Sequence, residues 1–126
     1  MVEQVQKKLQ NELAKYKQVQ KEYQKTISMR QQLEGKMHEN IVVKEELNRI
    51  KTGCDVYKLI GPVLVKQELV DAKENIAKRI EFIVSEIKNT ENKIKSLDEQ
   101  QEIHRTNLER IQQNFQKAQK KAANSQ

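Results

Sequence analysis

The chain has 126 residues and a net charge of +6, from 24 Lys and Arg against 18 Asp and Glu, with no Trp, two Phe and three Tyr. So few large apolar side chains exclude a conventional globular core. Such a chain is either disordered or a long helix that buries only a narrow seam. The positive charge is dispersed: residues 1–50 carry 10 basic and 7 acidic groups, residues 51–67 carry 3 and 1, and residues 68–126 carry 11 and 10. Interleaved signs read as solvated helix faces, which disfavours a basic stripe for nucleic acid. A single cysteine, Cys54, excludes an internal disulfide framework. The first residues lack the apolar run of a signal peptide, and nothing approaches the ~20 apolar residues of a membrane span. These features predict a soluble chain of the cytosol.

The first arm, residues 2–50, is rich in Gln, Lys, Glu and Leu, all good helix formers. Its seam reads Val2, Val5, Leu9, Leu13, Tyr16, Val19, Tyr23, Ile27, Arg30, Leu33, Met37, Ile41, Lys44, Leu47. Steps of three and four give the period of a left-handed coiled coil. Strict heptads would seat Glu12, Thr26 and Asn40 in the seam. The expectation is that their apolar neighbours Leu13, Ile27 and Ile41 take over there. Gly35 lies inside this arm and weakens it by about 1 kcal/mol relative to Ala.

The hairpin segment, residues 52–67, follows. β-Branched residues and Tyr cluster in it as nowhere else, and the only Pro, Pro62, stands beside Gly61. Val56 to Ile60 and Val63 to Val65 read as two short strands turning at Gly61-Pro62. A lone two-stranded hairpin is marginal in water, and this one is apolar on both faces, with Val56 and Ile60 on one and Tyr57 and Leu59 on the other. Exposed, it would be an adhesive edge. Pairing with strands of other chains is favoured over folding back on its own helices, which offer too little surface to cover both faces.

The second arm, residues 68–122, precedes a tail at 123–126. Its seam is Ile76, Ile80, Ile83, Ile87, Thr90, Ile94, Leu97, Gln101, His104, Leu108, Ile111, Phe115, Ala118, Ala122, with steps of four and three alternating unbroken. That regularity argues against disorder. Folding the chain at Gly61–Pro62 matches Leu47 with Ile76, Leu33 with Thr90, Leu9 with Phe115 and Val5 with Ala118, and sets His104 opposite Val19. The predicted fold is mostly α: a long antiparallel two-helix coiled coil with one β-hairpin between the helices. Arms of ~50 residues would extend ~75 Å.

The run Val56-Tyr57-Lys58-Leu59-Ile60-Gly61-Pro62-Val63-Leu64-Val65-Lys66-Gln67, preceded by Val42-Val43-Lys44-Glu45-Glu46-Leu47, resembles the β-type prefoldin subunits. The resemblance covers nearly the whole chain, and the single hairpin matches the β type, since α-type subunits carry two. It implies a single prefoldin-like domain over residues 1–126. It also implies a hetero-hexamer of two α-type and four β-type subunits whose hairpins build a β-barrel base. Subunit contacts would then fall to Val56, Tyr57, Leu59, Ile60, Val63, Leu64 and Val65. The function implied is that of an ATP-independent co-chaperone. It would capture unfolded proteins of the actin and tubulin type and deliver them to the cytosolic group II chaperonin, without any cofactor.

Elementary physics supports a grip at the open end of the coil. Val2, Val5, Leu9, Phe115, Ala118 and Ala122 cluster there, helix ends fray because their last backbone groups lack partners, and Val–Ala layers close poorly. These six residues are the candidate client-binding tip, with Lys117, Lys120 and Lys121 nearby. Catalysis is not expected. His38 and His104 have no convergent ligands for a metal, Cys54 has no histidine near it in sequence, and the glycines are too scattered for a phosphate loop. The alternatives are a basic coiled-coil arm binding RNA, whose affinity would collapse with salt, and a structural spacer, which leaves the apolar hairpin unexplained.

Overall fold

The computed structural model describes residues 2–51 and 53–124. Helix α1 (Val2–Arg49) leads to strands β1 (Val56–Ile60) and β2 (Val63–Gln67), and helix α2 (Leu69–Asn124) follows. The predicted fold class is therefore borne out: two long helices separated by a single antiparallel hairpin. Helix α2 takes in Ala123 and Asn124 from the predicted tail, whose Ser125 and Gln126 lie outside the described residues, as does Thr52 of the hairpin segment. The chain divides into two compact units. One is Met1–Ser28 with Asn92–Gln126, here called the terminal unit; the other is Met29–Glu91, the hairpin unit.

In the hairpin unit, α1 ends as Ile50 N–H donates to the Leu47 carbonyl at 3.3 Å, a tightened last turn that satisfies a helix-end carbonyl. Gly53, at φ +100°, lets the chain turn away. The strands pair in register from Val56 opposite Gln67 to Ile60 opposite Val63. The two residues between them are Gly61, at φ +56°, and Pro62, whose ring fixes a negative φ. That combination is the pattern of a type II′ hairpin turn, whose twist matches that of the flanking strands. The core of this unit is the cluster Leu47, Ala72 and Ile76, against which Ile50, Val56, Leu69 and Ile80 pack. The expected meeting of Leu47 with Ile76 is part of it.

The buried stripe corrects the reading of α1. Leu13 and Ile41, expected to displace their polar neighbours from the seam, are 40% and 37% exposed. The strict heptad residues hold the inner positions: Thr26 is 2% exposed, and Glu12 and Asn40 are half-buried. Lys44, also placed in the seam, is exposed, while Ile27 stays half-buried. The reason is geometric. Helix α2 buries Ile76 and Ile83 in the hairpin unit and Ile94 and Leu97 in the terminal unit, and these fix the covered face of α1 in each. A residue one place further along α1 lies about 100° round the cylinder, on the flank of that face.

Three polar seam residues are tolerated because each finds a partner. Thr26 Oγ1–H donates to the Glu22 carbonyl at 2.7 Å, and Thr90 Oγ1–H to the Glu86 carbonyl at 2.7 Å. Asn40 Nδ2 donates to the Lys36 carbonyl at 2.7 Å. All three bonds return to the residue's own helix four places back, so these residues bury polar atoms without demanding anything of the facing helix.

Candidate functional site

Two regions hold the residues that sequence pattern marks for function, and helix packing adds a third. The first is the hairpin. Antiparallel pairing puts Val56, Ile60, Val63 and Val65 on one face and Tyr57, Leu59 and Leu64 on the other, because side chains alternate along a strand. Tyr57, Leu59, Ile60, Val63, Leu64 and Val65 are all exposed, Leu59 to 67%. Only Val56 turns onto the Leu47–Ala72–Ile76 cluster. Among the described residues the sheet has two strands, so the outer edges of β1 and β2 have no strand neighbour there. Apolar side chains on both faces of an unpaired sheet form a surface shaped for other strands.

The second region is the end of the terminal unit. Val2, Val5, Phe115, Ala118 and Ala122 line one cavity of about 380 Å³ together with Gln4, Lys8 and Gln119. Val5, Leu9 and Phe115 share a second, smaller one of about 160 Å³ with Ile111. All six tip residues named from the sequence thus converge on two adjoining cavities. Small alanines opposite valines leave space that larger side chains would fill, and Val2 stays exposed. Such a groove accepts an apolar side chain without unpairing buried polar groups.

The third region was missed by sequence reasoning. His104, expected to face Val19, instead bonds to Glu12: its Nδ1–H donates to Glu12 Oε1 at 2.6 Å. Asn107 Nδ2 donates to the same oxygen at 3.1 Å. A carboxylate only accepts, so His104 carries its proton on Nδ1. The bonds from His104 and then Asn107 hold the Glu12 carboxyl below its ordinary value of 4.5, with the charge on Lys15 acting in the same direction and burial opposing it. The signal was available in the strict heptad, which places Glu12 in the seam.

Nothing among these residues assembles catalytic chemistry. His38 and Cys54 are exposed. Among the described residues no group of His, Cys, Asp and Glu could hold a metal ion. No described helix is long and apolar enough to cross a membrane.

Comparison with known proteins agrees with this geometry. The prefoldin subunit family matches residues 10–122. Prefoldin subunit 6 of Mus musculus is 47% identical over 119 residues, covering 94% of this chain and 94% of its own length. Prefoldin subunit 6 of Bos taurus is 46% identical over 119 residues, covering 94% and 92%. Among solved structures, the prefoldin beta2 subunit from Thermococcus strain KS-1 superposes with a TM-score of 0.62 at 24% identity, covering 72% of this chain and 97% of that one. This last likeness is one of fold.

Proposed function

Because the chain belongs to the prefoldin subunit family, whose members are non-enzymatic chaperone components, we propose that it acts as a β-type subunit that holds unfolded proteins within a hetero-hexamer. In this reading the hairpin is the assembly element. Val56, Tyr57, Leu59, Ile60, Val63, Leu64 and Val65 join strands of two α-type and further β-type subunits into a closed sheet, which covers both faces and removes the edges. The tip residues Val2, Val5, Leu9, Phe115, Ala118 and Ala122 receive apolar segments of clients of the actin and tubulin type. The complex passes them to the group II chaperonin in the cytoplasm, without nucleotide. Weak contacts on several subunits add through effective concentration.

The observation that carries this reading is the hairpin, with apolar residues exposed on both faces and, among the described residues, no strand at either edge. A structural spacer would have no use for it. The test is the native mass and composition of the tagged protein drawn from its own cell extract at moderate salt. An assembly of about six small coiled-coil chains is expected; a monomer or dimer would overturn the assembly reading. Removing residues 1–9 and 115–126 from the assembled complex should then abolish client capture while leaving the assembly intact.

A further inference from the structure

On the terminal unit, Lys8, Asn11, Lys15, Asn107 and Arg110 line a cleft of about 320 Å³ around Glu12. Lys8, Lys15 and Arg110 have exposed side chains and, among the described residues, form no salt bridge. The only acid lining the cleft is Glu12, and it is turned inward: His104 and Asn107 both donate to its Oε1, and its side chain is only 13% exposed. Its hydrogen bonds are committed to the helix–helix seam; the charge on Lys15 still acts on it, but three cations around one carboxylate leave the rim net positive.

The geometry points to this cleft as a docking site for an acidic, extended peptide segment of a client protein. Lys8 and Lys15 stand seven residues apart on one face of α1, about 10 Å along the helix. An extended peptide rises about 3.3 Å per residue, so carboxylates three residues apart reach both ammonium groups. Arg110 lies across the cleft on α2 and supplies a planar fork for a further carboxylate. Nucleic acid fits less well. No aromatic side chain lines the cleft to stack a base, and the three cations do not continue into a long unbroken basic stripe. The site adjoins the apolar cavity of the tip, with Lys8 lining both, so a client with an acidic stretch beside an apolar one would engage both. This names a client chemistry and rests on the client-capture reading.

The test uses the full chain and a fluorescent, otherwise neutral peptide carrying glutamates three residues apart, with anisotropy as the readout. A peptide with the glutamates replaced by glutamine is the control. The glutamate peptide should bind, more weakly as salt rises, and the glutamine peptide should not. Reversing the cleft charges (Lys8→Glu, Lys15→Glu, Arg110→Glu) should weaken binding by about tenfold or more. Reversing three exposed lysines elsewhere on α2 (Lys78→Glu, Lys88→Glu, Lys95→Glu) should change it by less than about threefold. Equal losses in the two triple variants would reduce the effect to net charge and overturn the site. So would tighter binding of a single-stranded oligonucleotide than of the glutamate peptide. Should the wild type ignore the peptide while tip removal still abolishes client capture, the cleft proposal fails and the function proposed above stands.

Discussion

Replacing Glu12 by Gln isolates one charge in the helix seam. Glutamine still presents an oxygen to His104 Nδ1–H and to Asn107 Nδ2, so the shape and both bonds can persist while the charge is lost. A hydrogen bond to an ionised group contributes about 1.5–3 kcal/mol. The side chains of Glu12 and His104 keep 13% and 19% exposure, so water screens the pair and reduces this to about 1–1.5 kcal/mol. The melting temperature should fall by several degrees, about 4–8 °C per kcal/mol in a small domain. The pH dependence gives the sharper test. The folded Glu12 carboxyl lies below its ordinary 4.5, so the unfolded chain binds more protons over that interval. The stabilisation is therefore complete above about pH 4.5 and is lost as pH falls through the folded value. Thermal unfolding followed by circular dichroism should show a gap between wild type and Glu12→Gln that is present above about pH 4.5 and closes as pH falls below it. Other carboxylates titrate equally in both proteins and cancel. A gap that does not change with pH would refute the assignment of Glu12 as an ionised acceptor.

Glycine to alanine should have opposite signs at two positions. Gly35→Ala, inside α1 with open space where the new Cβ would stand, should raise stability by about 0.5–1 kcal/mol. Gly61→Ala, at φ +56° in the hairpin turn, should lower it by about 1–2 kcal/mol; denaturant midpoints measure both. Ile83→Ala, in the buried stripe, should cost about 2–4 kcal/mol, whereas Leu13→Ala, on the flank, should cost under about 1 kcal/mol. Equal costs would place Leu13 back in the seam. Thr26→Val exchanges a hydroxyl bonded to its own helix for a methyl group and should change stability by no more than about 1 kcal/mol. A large loss in melting temperature would show that Thr26 serves the facing helix. Val63→Lys puts a charge opposite Ile60 on an exposed face. It should leave the helical signal intact and abolish co-purification with other subunits.

The two arms, the hairpin between them and the turn at Gly61-Pro62 were legible in the sequence. Helix period, β-branched clustering and the breakers are local properties, written residue by residue along the chain. The family was legible for the same reason, since the hairpin run is a contiguous string. The convergence of Val5 with Ala118 and of Leu9 with Phe115 on the tip cavities followed from folding two regular seams about one turn. What tertiary structure alone decided was the competition between neighbours on α1. Hydrophobicity favoured Leu13 and Ile41 over Glu12 and Asn40, yet within each unit the residues buried by α2 fixed which face of α1 is covered. Thr26 and Asn40 then cost little, because each bonds to its own helix. Glu12 is different, because its partners lie 92 and 95 residues away along the chain. No local pattern contains such a pair. Only the packed helices bring His104 and Asn107 to that carboxylate and leave the basic rim beside it net positive.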